Sequence, residues 1–274
     1  MKKSFLLLFL SIFVFLLTAC GEEAGKTERS GESKEPEAKV LTKEEFDRIF
    51  SDPKKYKGSK VDFYAKIFVE PEKDQDGTYI QAFANNNSEQ NVIVGIENPN
   101  LDVATDDIIH VTGTIEDAFE GENAFGGTVT APLIKADKIE KTDYQTAFAP
   151  SKKTINLNKV QNQHGFKLNV QKVELADSET RVYVKITNES KEKIYFYSYD
   201  AKLIANNQQL EETFNYEANY PEIQSDILPG ASTEGIIVFP PIKNDAASFK
   251  LHFEGSSDNY DITFEPFVYE VSLK

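Results

Sequence analysis

Two short motifs in this 274-residue sequence match signatures of serine enzymes that recognise penicillin. Ser51-Asp52-Pro53-Lys54 fits the pattern S-x-x-K, which pairs a nucleophilic serine with a lysine, and Ser257-Asp258-Asn259 fits the pattern S-D-N. The third signature of these enzymes, K-T-G, is absent from the sequence, and Ser51 falls at the end of a predicted helix rather than at its start. We therefore interpret both matches as coincidental.

The three histidines of the sequence do not form a metal-binding motif, because none has a second histidine at metal-ligand spacing. His110 and His252 lie in alternating strand patterns, where hydrogen bonds or solvent usually satisfy an imidazole. The sequence also lacks the G-x-S-x-G, phosphate-loop and dinucleotide-binding motifs. We therefore predict no catalytic residue, no metal site and no cofactor.

The one cysteine of the chain, Cys20, follows an apolar leader. Lys2 and Lys3 give this leader a positive start, and the run from Phe5 to Leu17 is interrupted only by a serine. This layout is typical of a secretory signal. The run is shorter than the roughly 20 apolar residues that a membrane-spanning helix needs.

The end of the leader, Leu17-Thr18-Ala19-Cys20, resembles the lipobox of bacterial lipoproteins. The resemblance implies that residues 1–19 are a signal peptide and that a diacylglyceryl group and palmitate are attached at Cys20. Because two acyl chains hold a protein durably on a bilayer, we expect a lipid-anchored protein on the outer face of the cytoplasmic membrane. Residues 20–40 contain few core-forming side chains and predict a disordered tether.

The composition is strongly acidic, with a formal net charge of −15 for the whole chain. Between residues 41 and 144 there are 21 acidic and 11 basic side chains, a net charge of −10. A surface with this charge repels nucleic acid, which we therefore exclude as a partner. Four lysines do cluster in the sequence, and we interpret them as a solvated loop rather than an anion site: Lys54, Lys55, Lys57 and Lys60.

Residues 41–145 predict a small five-stranded β-barrel with one N-terminal helix. Thr42 and Glu45 form a capping-box pattern before Phe46 and Ile49, which share one helical face. After Pro53 the apolar period changes to two, as in half-buried strands. The predicted strands lie at 61–69, 78–84, 91–96, 107–115 and 128–139.

Residues 150–274 predict an antiparallel β-sandwich that follows an irregular linker near Pro150. Short alternating runs are separated by turn residues such as Pro229-Gly230, Gly255 and Asn259. The predicted strands include 166–170, 182–186, 236–239, 249–253 and 260–264.

Both halves resemble domains of uncharacterised bacterial lipoproteins. The stretches "PKKYKGSKVDFYAKIFV" (53–69) and "DDIIHVTGTI" (106–115) resemble OB-fold domains that are similar to tRNA-anticodon binders. The stretches "TRVYVKITNES" (180–190) and "LPGASTEGIIVF" (228–239) resemble Ig-like domains that are related to the mycobacterial immunoprotective extracellular protein. The resemblance implies a two-domain Gram-positive lipoprotein and supplies no catalytic residue.

A tyrosine-rich segment is the predicted binding patch. In a strand, Tyr195, Tyr197 and Tyr199 would share one face while Phe196 pointed into the core. Tyrosine suits recognition because it offers a large contact area and a hydroxyl group at small entropic cost. Cross-strand tyrosines can also simply shield a sheet, and that alternative stays open here. Tyr216 and Tyr220 complete the candidate patch.

We therefore expect a non-enzymatic binding or adaptor module of the cell envelope that contacts another envelope protein or a small ligand. Two alternatives remain open at this point. Paired carboxylates could hydrolyse a wall polymer, or the acidic surface could sense divalent cations weakly.

Overall fold

The computed structural model of the protein describes residues 39–122, 128–243 and 246–273. The predicted signal peptide, Cys20 and all but the last two residues of the predicted tether lie outside these ranges. Within them, short helices accompany seventeen strands in several sheets, which confirms the mainly β prediction. No helix in the described ranges combines the length and the apolarity needed to cross a bilayer.

Helix α1 (Lys43–Arg48) begins at the predicted capping box. The backbone N–H of Glu45 donates to Oγ1 of Thr42 at 3.3 Å, and the backbone N–H of Thr42 donates to Oε2 of Glu45 at 2.8 Å. These two bonds satisfy backbone donors that the first helical turn would leave unpaired. Phe46 and Ile49 are buried, so the helix packs its predicted apolar face against the barrel.

The first sheet closes into a barrel. The strand order is β1-β5-β6-β4-β3, and β3 pairs again with β1. The pair β4 and β6 is parallel and the others are antiparallel, so the sheet closes into a five-stranded barrel. A short one-turn 3-10 helix, Pro53–Tyr56, precedes the sheet. The strands are β1 (Lys60–Ile67), β2 (Glu72–Lys73), β3 (Thr78–Ala84), β4 (Asn91–Ile96), β5 (Ile108–Glu122) and β6 (Thr128–Thr142).

Alternating apolar side chains fill the barrel, as the period of two predicts. Val61, Phe63, Ala65 and Ile67 of β1 all point inward. Val69, which the pattern placed in the same strand, lies beyond its end and is exposed. This one extra position was predicted wrongly because β1 ends at Ile67, where the chain turns toward the β2 hairpin.

The predicted irregular linker contains a short helix, α2 (Tyr144–Phe148). The carboxylate of Asp143 accepts the backbone N–H of Thr146 at 2.7 Å and so caps the helix. Ala149 follows and is buried, so the connection between barrel and sandwich is packed against its neighbours.

The second half forms a sandwich of two four-stranded antiparallel sheets, ordered β14-β9-β8-β7 and β12-β11-β15-β17. A small third sheet has the order β13-β10-β16, and a 3-10 turn spans Ser198–Asp200. The strands are β7 (Lys153–Gln163), β8 (Phe166–Leu175), β9 (Thr180–Asn188), β10 (Ile194–Tyr195), β11 (Lys202–Ala205), β12 (Gln208–Glu211), β13 (Asp226–Ile227), β14 (Ser232–Phe239), β15 (Ser248–Phe253), β16 (Ser256–Ser257) and β17 (Phe267–Ser272).

The two large sheets bury one hydrophobic cluster between them, separate from that of the barrel. Side chains of β7 cover the outer edge of β17. Nζ of Lys159 donates to the carbonyl oxygen of Glu270 at 3.1 Å, and Nε2 of Gln161 donates to that of Val268 at 2.6 Å. These bonds occupy carbonyl groups that would otherwise make β17 an open sheet edge.

The predicted strand at 260–264 is wrong, and the last strand of the sandwich is β17 instead. Oδ1 of Asn259 accepts the backbone N–H of Asp261 at 3.0 Å, and the carbonyl oxygen of Asn259 accepts that of Ile262 at 3.2 Å. These local bonds form a turn and leave the Tyr260 ring almost fully exposed. Alternation alone did not reveal this competition. Strand β7 was missed because most of its side chains are polar and exposed, so it lacks the alternation of apolar residues that predicts a strand.

Candidate binding site

The tyrosines at 195, 197 and 199 form a stack, which we call the tyrosine ladder. The ring centroids of Tyr195 and Tyr197 are 6.4 Å apart, and those of Tyr197 and Tyr199 are 5.4 Å apart. Phe196 is buried in the sandwich core, as predicted. Only Tyr195 belongs to strand β10, and Tyr197 continues the extended backbone before the 3-10 turn. The Tyr199 ring is 57% exposed, so the ladder faces solvent.

The base of the ladder is held in place by polar contacts. The Tyr195 hydroxyl donates to Oδ1 of Asp258 at 2.6 Å, and Nζ of Lys193 lies 5.1 Å from the centroid of the Tyr195 ring. Nearby Asp258 raises the pKa of Tyr195, chiefly because its carboxylate accepts the hydroxyl proton in a hydrogen bond. Tyr195 therefore stays neutral and acts as an anchored first ring for the two that follow.

Tyr216 and Tyr220 lie on the long connection between β12 and β13, whose residues 212–223 we call the site loop. Tyr216 is 86% exposed and stacks on Phe214 with their centroids 6.0 Å apart. The Tyr220 ring instead turns inward, and its hydroxyl donates to Oε1 of Glu179. The structure thus places Tyr216 on the surface and assigns Tyr220 to an inner hydrogen-bond network.

The site loop lies along the outer edge of β14. The backbone N–H of Ile236 donates to the carbonyl oxygen of Pro221 at 2.9 Å, and the N–H of Thr213 donates to that of Val238 at 2.8 Å. A Cβ atom at Gly235 would lie 2.6 Å from the Pro221 carbonyl oxygen. Only glycine therefore permits this close approach of loop and strand.

Between the site loop and β14 lies a pocket of about 250 Å³, which we call the acidic pocket. Ser198, the residue between the outer two ladder tyrosines, forms part of its wall. The pocket combines acidic, aromatic and apolar side chains in one small space. Its principal lining residues are Glu212, Glu222, Phe214, Tyr216, Tyr220, Ile223, Ile236 and Val238.

Glu212 is the unusual group of the pocket. Its side chain is half-buried, and Oε2 is buried with no hydrogen-bond partner among the described residues. Burial raises the pKa of Glu212; a hydrogen bond with Ser198 opposes this shift, whereas the negative charge of Glu222 reinforces it. A carboxylate in this setting gains stability by taking up a proton or by meeting a cation.

Behind Tyr220 lies a buried ionic cluster centred on Arg181, whose side chain is 1% exposed. Its guanidinium donates through Nη1 to Glu179 at 2.7 Å and to the Ala149 carbonyl oxygen at 2.8 Å, and through Nη2 to Glu174 at 3.0 Å. Burial alone would lower the pKa of Arg181, but the bonds to these carboxylates raise it above its ordinary value. The cluster links the connection after α2, strand β9 and the Tyr220 wall of the pocket.

The second half of the chain is similar to a domain whose function is unknown. Residues 150–262 match the sequence model of the domain of unknown function DUF4352. This region contains the tyrosine ladder, the site loop and the acidic pocket. No curated protein sequence matches the chain.

Among solved structures, a functionally unknown protein from Listeria monocytogenes EGD-e is similar to part of this chain. The match covers 46% of this chain and 88% of the Listeria chain, with 10% sequence identity and a TM-score of 0.37.

The lysine cluster of the barrel is largely neutralised by ion pairs. Nζ of Lys57 lies 2.8 Å from Asp117, and Nζ of Lys60 lies 2.8 Å from Asp137. Lys54 likewise pairs with a carboxylate, that of Glu120, at 2.7 Å. These pairs support our interpretation of the cluster as a solvated surface rather than an anion site.

His110 is held by an ordinary strand environment. Its Nε2 lies 2.6 Å from Oδ1 of Asp62, and its ring stacks on Tyr64 with centroids 4.7 Å apart. His252 lies within β15, as predicted, opposite Lys202 of β11. In the described ranges, no three His, Cys, Asp or Glu residues are grouped so that they could hold a metal ion.

Sequence reasoning missed Glu212, Gly235 and Arg181. Glu211 and Glu212 look alike in the sequence, yet Glu211 is exposed whereas Glu212 lines the pocket. A signal for Gly235 was available, because a glycine inside an alternating strand pattern often marks a close backbone approach.

Proposed function

We propose that this protein is a non-enzymatic binding or adaptor module of the cell envelope. The exposed stack of ladder rings beside the acidic pocket is the observation that carries the proposal. Exposed aromatic rings that converge next to a small pocket offer the apolar anchors and polar tips that dominate recognition interfaces. The partner is an envelope protein or a small ligand that contacts the ladder and the site loop.

The proposal also includes anchoring to the outer face of the cytoplasmic membrane through lipidated Cys20. The leader pattern and the lipobox-like sequence support this part, as does the resemblance to Gram-positive lipoproteins with OB-like and Ig-like domains. We expect metabolically labelled palmitate to be incorporated into the wild type and absent from Cys20→Ala. Label that remains on Cys20→Ala would contradict the anchor.

Site-specific photocrosslinking in intact cells tests the binding surface. A benzophenone amino acid is placed at Tyr199 or at Tyr216, and at Tyr79 of the barrel as a control whose side chain is also exposed. If the ladder and the site loop contact one partner, positions 199 and 216 should yield the same crosslinked species and position 79 should not. Crosslinks of equal yield at all three positions, or none at 199 and 216, would refute the proposal.

A second candidate function is hydrolysis of a wall polymer, because the pocket holds two carboxylates and raises the pKa of Glu212. A raised pKa suits a general acid, and a pair of carboxylates is the usual apparatus of glycoside hydrolysis. The size of the pocket argues against it, since about 250 Å³ accommodates a small group rather than a stretch of polymer.

Incubation of purified wall polymer with the wild type and with Glu212→Gln separates the two candidates. The binding proposal expects no release of soluble fragments from either protein. Fragment release by the wild type that Glu212→Gln abolishes would establish the hydrolase instead.

A further inference from the structure

The acidic pocket has the features of a site for a small ligand that carries a positive charge. It faces solvent next to the ladder, and its rim is formed by the exposed rings of Phe214 and Tyr216. Its volume of about 250 Å³ lies below the roughly 300–1,000 Å³ typical of pockets for drug-sized ligands. One side chain or one small molecule is therefore the appropriate occupant.

The charges of the pocket favour a cation over a neutral or anionic group. Glu212 and Glu222 both line it, and the buried Oε2 of Glu212 has no partner among the described residues. The charge of Lys202 acts on Glu212, but Nζ of Lys202 lies 3.4 Å from the exposed carboxylate of Glu211 and pairs with it. A cationic group in the pocket would be attracted by both carboxylates, whose negative charges act on each other there.

The remaining lining residues favour an apolar stem behind the charge. Ile223, Ile236 and Val238 form an apolar wall, and aromatic faces such as those of Phe214 and Tyr216 attract cations and alkyl groups near them. The pocket is thus apolar on one side, aromatic at the rim and acidic at Glu212. A charged head on a short hydrocarbon chain matches all three parts.

We infer that the acidic pocket binds a protonated primary amine on a short apolar stem, either a free alkylamine or the lysine side chain of a partner. This inference rests on the proposed function, because it names the ligand class for the same face of the sandwich. The ammonium group donates to Glu212 with Glu222 nearby, and the stem packs against the apolar wall.

The protonation of Glu212 couples this binding to pH. Burial raises the pKa of the Glu212 carboxyl, and a proton on it competes with the ammonium group. The facing groups are Glu222, Ser198 and Lys202, of which Glu222 favours the proton while Ser198 and Lys202 disfavour it. Amine affinity should therefore increase as the pH rises through the acid range and level off once Glu212 is ionised.

Isothermal titration of the purified full chain tests the inference with four probes. Nα-acetyl-lysine N-methylamide represents a lysine in a peptide, and n-pentylamine represents a free amine. Nα-acetyl-norleucine N-methylamide has the same stem without the charge, and glucose offers neutral hydroxyl groups. We expect binding by one or both amines and none by the neutral probes, and the tighter amine identifies the source of the ligand.

Equal binding of the lysine and norleucine derivatives, binding of glucose alone, or no binding of either amine would overturn the inference. None of these outcomes bears on whether positions 199 and 216 crosslink to a partner, so the proposed function can survive or fail separately.

Carboxylate variants localise the binding to the pocket. We expect Glu212→Gln to weaken amine binding about tenfold, the usual scale for losing a charge-assisted hydrogen bond. Glu222→Gln, at an exposed position, should weaken it less, and the matched control Glu234→Gln on β14 should not change it. Unchanged affinity in both pocket variants, or an equal loss in Glu234→Gln, would place the amine elsewhere and refute the inference.

Discussion

The barrel and the sandwich treat their charged residues differently. On the barrel, lysines such as Lys57 and Lys60 lie on the surface and pair with carboxylates across neighbouring elements. In the sandwich, Arg181 is buried between two carboxylates, and one oxygen of Glu212, beside the pocket, has no hydrogen-bond partner in the part of the chain that the structure describes. Exposed ion pairs such as Lys167–Glu189 and Lys250–Glu270 cover the sandwich as well, so the difference is that the sandwich also buries a few charges, and these lie at the candidate site.

The buried polar residues show the same difference between the barrel and the sandwich. Among the described residues, Thr78 is the one buried polar side chain of the barrel, whereas the sandwich buries five. Buried ionic groups contribute little net stability and are costly when a partner is lost. The five are Glu174, Glu179, Thr180, Arg181 and Asn188. Three of them, Glu174, Glu179 and Arg181, form the cluster behind Tyr220 and position this wall of the pocket.

The largest effect should follow from removal of the buried cation. Arg181→Met leaves Glu174 and Glu179 buried without their partner, so the free energy of unfolding should fall by roughly 3–5 kcal/mol. Denaturant unfolding followed by circular dichroism measures the loss. Lys185→Met, at a partly exposed position on the same strand β9, is the matched control and should change little. If Arg181→Met lost no more stability than Lys185→Met, the buried ionic cluster would not stabilise the sandwich, and the difference from the barrel would disappear.

A smaller loss should follow when the site loop is pushed away from β14. In Gly235→Ala the new Cβ meets the Pro221 carbonyl oxygen, and such overpacking costs roughly 1–3 kcal/mol. The variant should also bind the lysine probe more weakly, because the loop forms one wall of the pocket. Ser232→Ala, at an exposed position of the same strand, should match the wild type in both measurements. Wild-type stability and affinity in Gly235→Ala would show that the loop does not depend on this contact.

A still smaller effect concerns the pH dependence of stability. Burial raises the folded-state pKa of Glu212, so the folded protein holds this proton more tightly than the unfolded chain does. The protonated carboxyl therefore stabilises the fold at low pH, and this stabilisation is lost as the pH rises through the raised pKa. Glu212→Gln cannot ionise, so its stability relative to the wild type should increase over this rise by about 1 kcal/mol, the scale of an unsatisfied buried polar group. Unfolding curves at a series of pH values test this. If the wild type and the variant showed parallel pH profiles of stability, burial would not raise the folded-state pKa of Glu212.

The smallest effect is expected on the barrel. Lys57→Gln removes an exposed ion pair with Asp117, which should leave the unfolding midpoint unchanged within experimental error. The wild type should also fail to bind a single-stranded DNA oligonucleotide at low salt, since its lysines are paired and its net charge is negative. If the wild type bound DNA and Lys57→Gln weakened the binding, the lysine cluster would be an anion site. The barrel would then also use its charged residues for binding, as proposed for the sandwich.

Several elements were predictable because their signals are local. The capping box between Thr42 and Glu45 lies within one helical turn, and the strands of the barrel alternate along continuous runs. Phe196 could be assigned to the core because its neighbours on both sides are tyrosines with polar tips. Where a local signal competed with another, as at Tyr260 beside the Asn259 turn, alternation gave the wrong element.

The candidate site was only partly predictable. The ladder residues are close in sequence, so their clustering was visible. Tyr220 was grouped with them by composition, yet it bonds to Glu179, which lies 41 positions earlier in the chain. Contacts over such separations depend on how the sheets pack, and no pattern within a short window encodes them.

The sequence by itself determined the mainly β class, the helix at Thr42 and the burial of Phe196, because each depends on side chains a few positions apart that share a face or a turn. The tertiary structure alone decided that Glu212 is half-buried while Glu211 is exposed, and that Arg181 is enclosed by carboxylates. Glu212 loses contact with water when the site loop folds along β14, and Arg181 is enclosed where β8, β9 and the connection after α2 meet.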